Sequence, residues 1–446
     1  MRGERTCSVN MEFVNRIREL KELDAAAKAG GLLVLFGRRR VGKTRLLTHW
    51  LSKRDGLYSQ AIESTPALQI DQVFRDLAAH LTSHIVPKSW QELFDLLRLH
   101  PKKRWVFCID EFPYLCNADP ALPSILQRWI DHAQPSGSLL ILCGSSMRMM
   151  NDLFLNRSAP LFGRAYKLLH IQPMNYEAFC DGLKFQRADL HAFERYALVG
   201  GVPRFWEYVR TGRSLTEVVD ALYFGYAAHL DDEPSRLLRD EGLSGLNALS
   251  VLEAIGRGAN KPSEIAARLG TAQTNLSRLF QQLLDVDLIG RELPYGESVR
   301  STKRIQYRIK DPALRFWFQV YSPHRSRWRS YDARQKRLLL HEHASTVFED
   351  YCRQLFPTAS RHWEGDVEFD LVGTAPGDES TLIVGEVKWK RLSTSERGRI
   401  MADLERRWMQ GGLRHRYANP RFVVLDATIL EQPSSVDVAR LATRRA

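Results

Sequence analysis

Eight residues constrain this chain more than any others. Gly37 to Thr44 read Gly-Arg-Arg-Arg-Val-Gly-Lys-Thr, the GxxxxGK[ST] phosphate-binding pattern, and the apolar run Leu33-Val34-Leu35-Phe36 precedes them. A run of strand length feeds a glycine-bounded loop, and Thr44-Arg45-Leu46-Leu47 reads as the first turn of a helix. Such a loop aims backbone N–H groups and a helix N-terminus at a phosphate chain. In that geometry Gly37, Arg38, Arg39, Arg40, Val41, Gly42, Lys43, Thr44 and Arg45 line the anion; Lys43 reaches the outer phosphates and the Thr44 hydroxyl ligates Mg²⁺.

A second strand supplies acids. Arg104-Trp105-Val106-Phe107-Cys108-Ile109-Asp110-Glu111 is an apolar run ending in two carboxylates. At such a strand end Asp110 is expected in the Mg²⁺ shell and Glu111 beside the attacking water, as in phosphoryl transfer to water. A third run, Leu139 to Gly144, ends in Ser145-Ser146, where a hydroxyl can sense the γ-phosphate or simply close a turn.

At 446 residues the chain is long enough for about three domains of ordinary size. The net charge of +12 makes a polyanionic partner plausible, with a nucleic-acid backbone as the obvious one and a merely soluble basic surface as the alternative. The six cysteines are scattered without CxxC spacing, so neither a disulfide framework nor a zinc site is expected, and a reducing cytoplasm fits. Met1-Arg2-Gly3-Glu4-Arg5 lacks an apolar segment, so no signal peptide is expected, and the apolar runs are too short for a membrane span. Residues 1–10 and 440–446 read as frayed tails. His341-Glu342-His343 lacks the i, i+4 spacing of a helical zinc site and reads as a solvated turn.

Phe13, Ile17, Leu20 and Leu23 have helical spacing ahead of the first strand. Together, Phe13-Val14-Asn15-Arg16-Ile17-Arg18-Glu19-Leu20, the glycine-rich loop, Phe107-Cys108-Ile109-Asp110-Glu111-Phe112 and Cys143-Gly144-Ser145-Ser146 resemble the archaeal-type ATPase family, which belongs to the AAA+/STAND-like P-loop NTPases. The family usually has Gly where Asn15 stands. The resemblance extends to Pro160-Leu161-Phe162-Gly163-Arg164 and Gly200-Gly201-Val202-Pro203-Arg204. It implies that Arg164 contacts the γ-phosphate, in cis or from a neighbouring subunit of a homo-oligomer, and that the turn at Pro203 brings a lid to the nucleotide. As a bare residue, Arg164 fits a surface salt bridge equally well. Residues 170–235 read as a helical lid with an aromatic core.

Ser263 to Gly270 is expected to be a short helix capped by Ser263. After a turn, Ala272 to Leu284 places Leu276, Leu279, Phe280, Leu283 and Leu284 on one face and Gln273, Asn275, Ser277, Arg278 and Gln281 on the other. With the hairpin expected from Leu288 to Ile309 this makes a winged helix, whose polar face suits either DNA or a protein partner.

The last third carries another constellation. Asp366, Glu368 and Asp370 alternate with Val367 and Phe369; a turn-rich stretch from Gly373 to Ser380 follows, then Leu382 to Lys390 as a strand containing Glu386-Val387-Lys388. Asp370 and Glu386 on adjacent strands can share a Mg²⁺, or a Mn²⁺, with Lys388 orienting water and Glu349, on a helix expected from Ala344 to Leu355, as a third acid. The order Glu…Asp…Glu-x-Lys resembles the PD-(D/E)xK nuclease core of restriction-type and Holliday-junction enzymes, with Phe369 in place of the Pro. It also resembles the domain of unknown function that accompanies this ATPase family.

The expected fold is α/β throughout. A P-loop core with a parallel sheet (11–168) carries a helical lid (169–238), followed by a winged helix (239–325) and a restriction-nuclease-like domain (326–446). Two functions follow: an ATP-hydrolysing machine acting on DNA through a metal-dependent nuclease-like domain, or a nucleotide-controlled switch that binds DNA or a protein without cutting.

Overall fold

The computed structural model describes residues 12–431 except 82–84, 99, 211, 227, 244, 301, 357, 376–377 and 418–419. Cys7 and both expected tails lie outside them. The chain divides into two compact units. One comprises Met1–Gly182, Gly201–Arg204 and Arg239–Leu243; the other comprises Leu183–Gly200, Phe205–Leu238 and Ser244–Ala446.

The first unit is built on a five-stranded sheet. Its strands are β1 (Gly31–Phe36), β2 (Leu57–Gln60), β3 (Val106–Asp110), β4 (Leu139–Gly144) and β5 (Ala165–His170), in the spatial order β2-β3-β4-β1-β5. Every pairing is parallel. A parallel sheet covered by helices on both faces needs strands that are apolar throughout, and β1, β3 and β4 are buried along nearly their whole length. Leu33, Leu35, Cys108, Ile141 and Cys143 pack against Leu46, Leu47 and Trp50 of the helix Lys43–Leu51. That helix leaves the end of β1, so the loop between them sits at the carboxyl edge of the sheet beside the ends of β3 and β4. The edge of an open α/β sheet where the strand order reverses is where such folds bind ligands.

The first helix runs from Ile17 to Ala29, not from Phe13. Asn15 and Arg16 take left-handed backbone angles (φ 59° and 64°), which a helix cannot include. Phe13 instead stacks on His49 with ring centroids 3.8 Å apart.

The second unit contains helices Leu246–Gly256, Pro262–Arg268 and Gln273–Asp285, then an antiparallel pair, β6 (Ile289–Glu292) and β7 (Gln306–Ile309). Leu276, Phe280 and Leu283 are buried and the opposite face, from Gln273 to Gln281, is exposed. Ser263 lies inside its helix; Lys261 holds the capping position because Pro262 takes the first helical turn. A four-stranded mixed sheet follows, from β8 (Ser360–Glu364), β9 (Val367–Ala375), β10 (Asp378–Lys388) and β11 (Arg421–Asp426), in the order β11-β10-β9-β8. β10 runs parallel to β11 and antiparallel to β9. The 22-residue helix Ala333–Gln354 precedes β8, and Thr394–Gln410 links β10 to β11, which closes the core around Phe369, Val384, Leu404 and Trp408. The expected turn from Gly373 to Ser380 is shorter, because β9 continues to Ala375 and β10 begins at Asp378.

Residues 341–343, expected in a solvated turn, lie within helix Ala333–Gln354. His343 is buried, hydrogen-bonds through Nε2 to the Ala197 carbonyl at 2.7 Å, and burial drives its pKa down to about 3. It is a neutral core histidine. Among the described residues no helix is long and apolar enough to cross a membrane.

Candidate functional site

The glycine-rich loop owes its shape to three backbone conformations. Arg40 and Gly42 are left-handed (φ 70° and 98°), and Gly37 approaches the Ile171 carbonyl so closely that a Cβ there would stand 2.4 Å from its oxygen. Gly42 is the N-cap of helix Lys43–Leu51, which leaves that helix's first N–H groups facing the loop. Lys43 is buried and folds back over the loop, donating from Nζ to the carbonyls of Gly37 (2.8 Å) and Arg38 (3.1 Å). From the outside, Arg16 donates to the Val41 carbonyl at 2.9 Å. Val41 and Arg38 are buried, whereas Arg39, Arg40 and Arg45 are exposed.

Long-range contacts converge on the next residue. Thr44 Oγ1 donates to Asp110 Oδ2 at 2.6 Å, although 66 residues separate them. Asp110 is fully buried at the end of β3, and Tyr58 donates to the same oxygen at 3.0 Å. Burial and the Asp110 charge both push the Tyr58 phenol well above its ordinary range, so it stays a donor. Glu111 adopts a left-handed conformation (φ 54°) that turns the chain out of β3. Its carboxylate accepts from the Ser145 hydroxyl at 2.7 Å and the Ser145 N–H at 3.3 Å. Lys43, Thr44, Asp110, Glu111 and Ser145 are therefore brought together at one sheet edge.

Arg164 and Pro203 are placed differently. Arg164 clasps Asp131 with three hydrogen bonds, Nε to Oδ1 at 3.0 Å and to Oδ2 at 3.2 Å and a terminal nitrogen to Oδ2 at 2.9 Å, and donates to the Pro160 carbonyl at 2.8 Å. This is the surface salt bridge that the bare residue allowed. Pro203 opens the short helix Pro203–Trp206.

Two contributors have no local sequence signal. Glu241 is buried and accepts from the N–H groups of Met147 (3.2 Å) and Arg148 (3.0 Å), at the start of the helix Met147–Phe154 that follows Ser146. Its neighbour Asp240 pairs with Arg39 at 2.7 Å. Both partnerships span more than ninety residues, so only the folded chain reveals them.

In the second unit, the pairing of Gly385 with Leu371 sets Asp370 beside Glu386. Asp370 Oδ2 accepts from the Val387 N–H at 2.9 Å. Glu386 is gripped on both oxygens, by Lys388 Nζ at 2.7 Å and by Arg407 at 2.7 Å. Burial and then the charge of Glu386 raise the Asp370 pKa. Burial, followed by the charge of Asp370, raises that of Glu349 to about 7. Burial works against the charge on Lys388, but the hydrogen bond and charge of Glu386 prevail and raise its pKa. A cleft of about 380 Å³ opens on Glu386 and Lys388 and is bordered by Lys390, Arg399 and Arg407. Among the described residues no group of three His, Cys, Asp or Glu side chains is placed to hold a metal ion, and Glu386 is ion-paired with Lys388 and Arg407.

Comparison with known proteins bears on both units. Residues 13–209 match the family described as an ATPase domain predominantly from Archaea. Residues 317–400 match a second family, described as archaeal and bacterial proteins of unknown function. The chain is 28% identical over 422 residues to an uncharacterised protein of Methanocaldococcus jannaschii, covering 90% of this chain and 93% of that protein. In fold, the chain is similar to a Walker-type ATPase of Pyrococcus abyssi, with a TM-score of 0.52 and 21% identity over 70% of this chain and 97% of the other.

Proposed function

We propose that this ATPase binds ATP with Mg²⁺ at the Gly37–Thr44 loop and couples hydrolysis to a C-terminal, metal-dependent, nuclease-like domain that acts on DNA. The observation that carries the nucleotide site is the 2.6 Å contact between the Thr44 hydroxyl and the buried Asp110 carboxylate. Two hard oxygen donors held this close, beside a buried lysine, fit a magnesium–polyphosphate complex. Bound there, Mg²⁺ would neutralise charge developing on the β- and γ-phosphates. Lys43, released from the Gly37 and Arg38 carbonyls, binds the outer phosphates. Glu111 orients the attacking water and takes its proton, and Ser145 holds the Glu111 carboxylate in register.

For the C-terminal domain, the helix–β8–β9–β10–helix–β11 order supports the nuclease-like reading, with Glu349, Asp370, Glu386 and Lys388 at its centre. Burial and then the charge of a neighbouring carboxylate raise the pKa of Asp370 and of Glu349, and a divalent cation would relieve that repulsion. Mg²⁺ or Mn²⁺ there would supply an activated water and steady the scissile phosphate. Lys388 and Arg407 hold Glu386 in place meanwhile. We read the three helices from Leu246 to Asp285 with the β6–β7 hairpin as a winged helix, and the four-part division 11–168, 169–238, 239–325 and 326–446 as its domain plan. The exposed Gln273, Asn275, Ser277, Arg278 and Gln281 suit a groove of DNA.

The full ion pairing of Glu386 favours a second reading, a nucleotide-controlled switch that binds without cutting. One comparison separates the two. Wild type and a Glu386→Ala, Lys388→Ala double variant are incubated with branched, single-stranded and linear DNA plus Mg²⁺ or Mn²⁺. Cleavage that the double variant loses supports the nuclease, and binding without cleavage on every substrate supports the switch. In parallel, ATP turnover that survives Lys43→Ala would sink the nucleotide site.

A further inference from the structure

The β6–β7 hairpin and helix Ala333–Gln354 border a cavity of about 520 Å³ that continues into a smaller one of about 130 Å³. Arg308, Arg353 and Arg361 line both, and Arg291 lines the larger. Their counter-charges are too few. Asp350 pairs with Arg308, Arg315 and Arg353, Glu292 pairs with Arg308 and Arg361, and Glu349 pairs with Arg353 at 3.8 Å. Arg361 also pairs with Glu368. Glu297, the remaining acid on the wall, pairs with Arg304. Five guanidiniums (Arg291, Arg308, Arg315, Arg353 and Arg361) thus face four carboxylates (Asp350, Glu292, Glu368 and Glu349), an excess of one positive charge. The Nε atoms of Arg291 and Arg361 are buried and have no hydrogen-bond partner. A buried, unsatisfied guanidinium N–H is costly, and an anion with several acceptor oxygens relieves it.

The position of the cavity identifies the anion. Glu349 lines its inner end, and Arg353 donates to the Asp370 carbonyl at 2.9 Å, so the arginines adjoin the acidic cluster of the nuclease-like core. We propose that this cavity binds a backbone phosphate of a nucleic-acid strand, with Arg291 as its principal free donor and Arg361 beside it, next to the phosphate presented to Asp370 and Glu386. The hairpin thereby becomes part of the strand-binding surface of the C-terminal domain. A guanidinium fork matches a phosphodiester's two free oxygens, and the cavity has room for a phosphate with its sugar.

This inference rests on the nucleic-acid reading of the C-terminal domain, and its test is chosen to fail separately from it. The full chain is titrated into fluorescent single-stranded and branched DNA in EDTA, across a range of salt, as wild type, Arg291→Ala and Arg291→Glu. Both variants should keep the wild-type unfolding midpoint and ATP turnover. Arg291→Glu should weaken DNA binding about tenfold or more, and should flatten the slope of log affinity against log salt by about one, as expected when one phosphate contact is lost. Arg291→Ala should fall between it and wild type. Affinity within about twofold of wild type with an unchanged slope overturns the site, even if the protein cleaves DNA with Mn²⁺. Arg291-dependent binding without cleavage confirms the site and removes only the nuclease step. Complete displacement of DNA by millimolar inorganic phosphate would assign the cavity to a free phosphate and overturn the strand assignment.

Discussion

Asp350 offers the sharpest test of how the second unit is held together. Its carboxylate accepts from Arg315 at 2.6 Å and Arg353 at 2.5 Å, and also pairs with Arg308. The Arg315 and Arg353 side chains are each 10% exposed and that of Asp350 is 12%. Burial alone would raise the Asp350 pKa, but the charges of Arg315, Arg308 and Arg353 overcome it and hold the group well below the usual carboxylate range. Asp350→Asn keeps the shape and removes the charge, leaving the buried Arg315 without a counter-ion and Arg353 with only the 3.8 Å pair to Glu349. Breaking a buried pair in this way costs about 3–5 kcal/mol. By contrast Glu431→Gln, which removes the exposed Arg391–Glu431 pair of the same unit, should cost at most about 0.5 kcal/mol. Hydrogen exchange of amides in helix Ala333–Gln354 reads the difference, and Asp350→Asn should speed it by about a hundredfold or more. The sign of the pH dependence follows. A group whose folded pKa is depressed stabilises above its unfolded pKa, here 3.8, and that stability drains away as pH falls below it. Wild type should therefore loosen below that pH in a way that Asp350→Asn does not. An exchange rate within about fivefold of wild type, like that of Glu431→Gln, would refute the buried-hub account.

Three further outcomes are expected. Ser145→Ala removes the 2.7 Å bond to Glu111 and should lower ATP turnover by about tenfold or more while leaving ATP affinity within about threefold, read by steady-state kinetics and calorimetry. Glu241→Ala strips two backbone donors of their acceptor at the start of helix Met147–Phe154 and should cost that helix about 1–2 kcal/mol, read by hydrogen exchange. Because Glu349 has its pKa raised to about 7, it is protonated at lower pH and competes with metal there, so Mn²⁺ affinity of nucleotide-free protein should rise about tenfold from pH 6 to pH 8. Glu349→Gln should flatten that rise, and an equally steep profile in the variant would remove Glu349 from the metal site.

What the sequence revealed and what it hid divide along physical lines. The Gly37–Thr44 loop, β1, β3 and β4 were legible because each is a local pattern: an unbroken apolar run meeting a glycine or an acid at its end. The alternation of Val367 and Phe369 with acids, and the spacing of Leu276, Phe280 and Leu283, marked their elements for the same reason. β5 escaped notice because it is an edge strand, with Tyr166 exposed and its other residues only partly buried, so neither alternation nor a continuous run distinguishes it. The early start of helix Ala333–Gln354 was masked by Arg334, Lys336, Arg337 and His341, polar residues that form its exposed first turns. Partnerships over long sequence distances left no trace at all. Tyr58 on Asp110, Glu241 on the helix after Ser146, and Arg407 on Glu386 are set by packing, not by spacing.

The central claim is that the Gly37–Thr44 loop and Asp110 together hold a magnesium nucleotide. Isothermal titration of ATP into the full chain, with and without Mg²⁺, measures this directly. The account predicts one site per chain with an affinity that Mg²⁺ strengthens, a Mg²⁺ effect lost in Thr44→Ala, and no detectable binding in Lys43→Ala. Equal ATP affinity in wild type and Lys43→Ala, with unchanged unfolding midpoints, would contradict it.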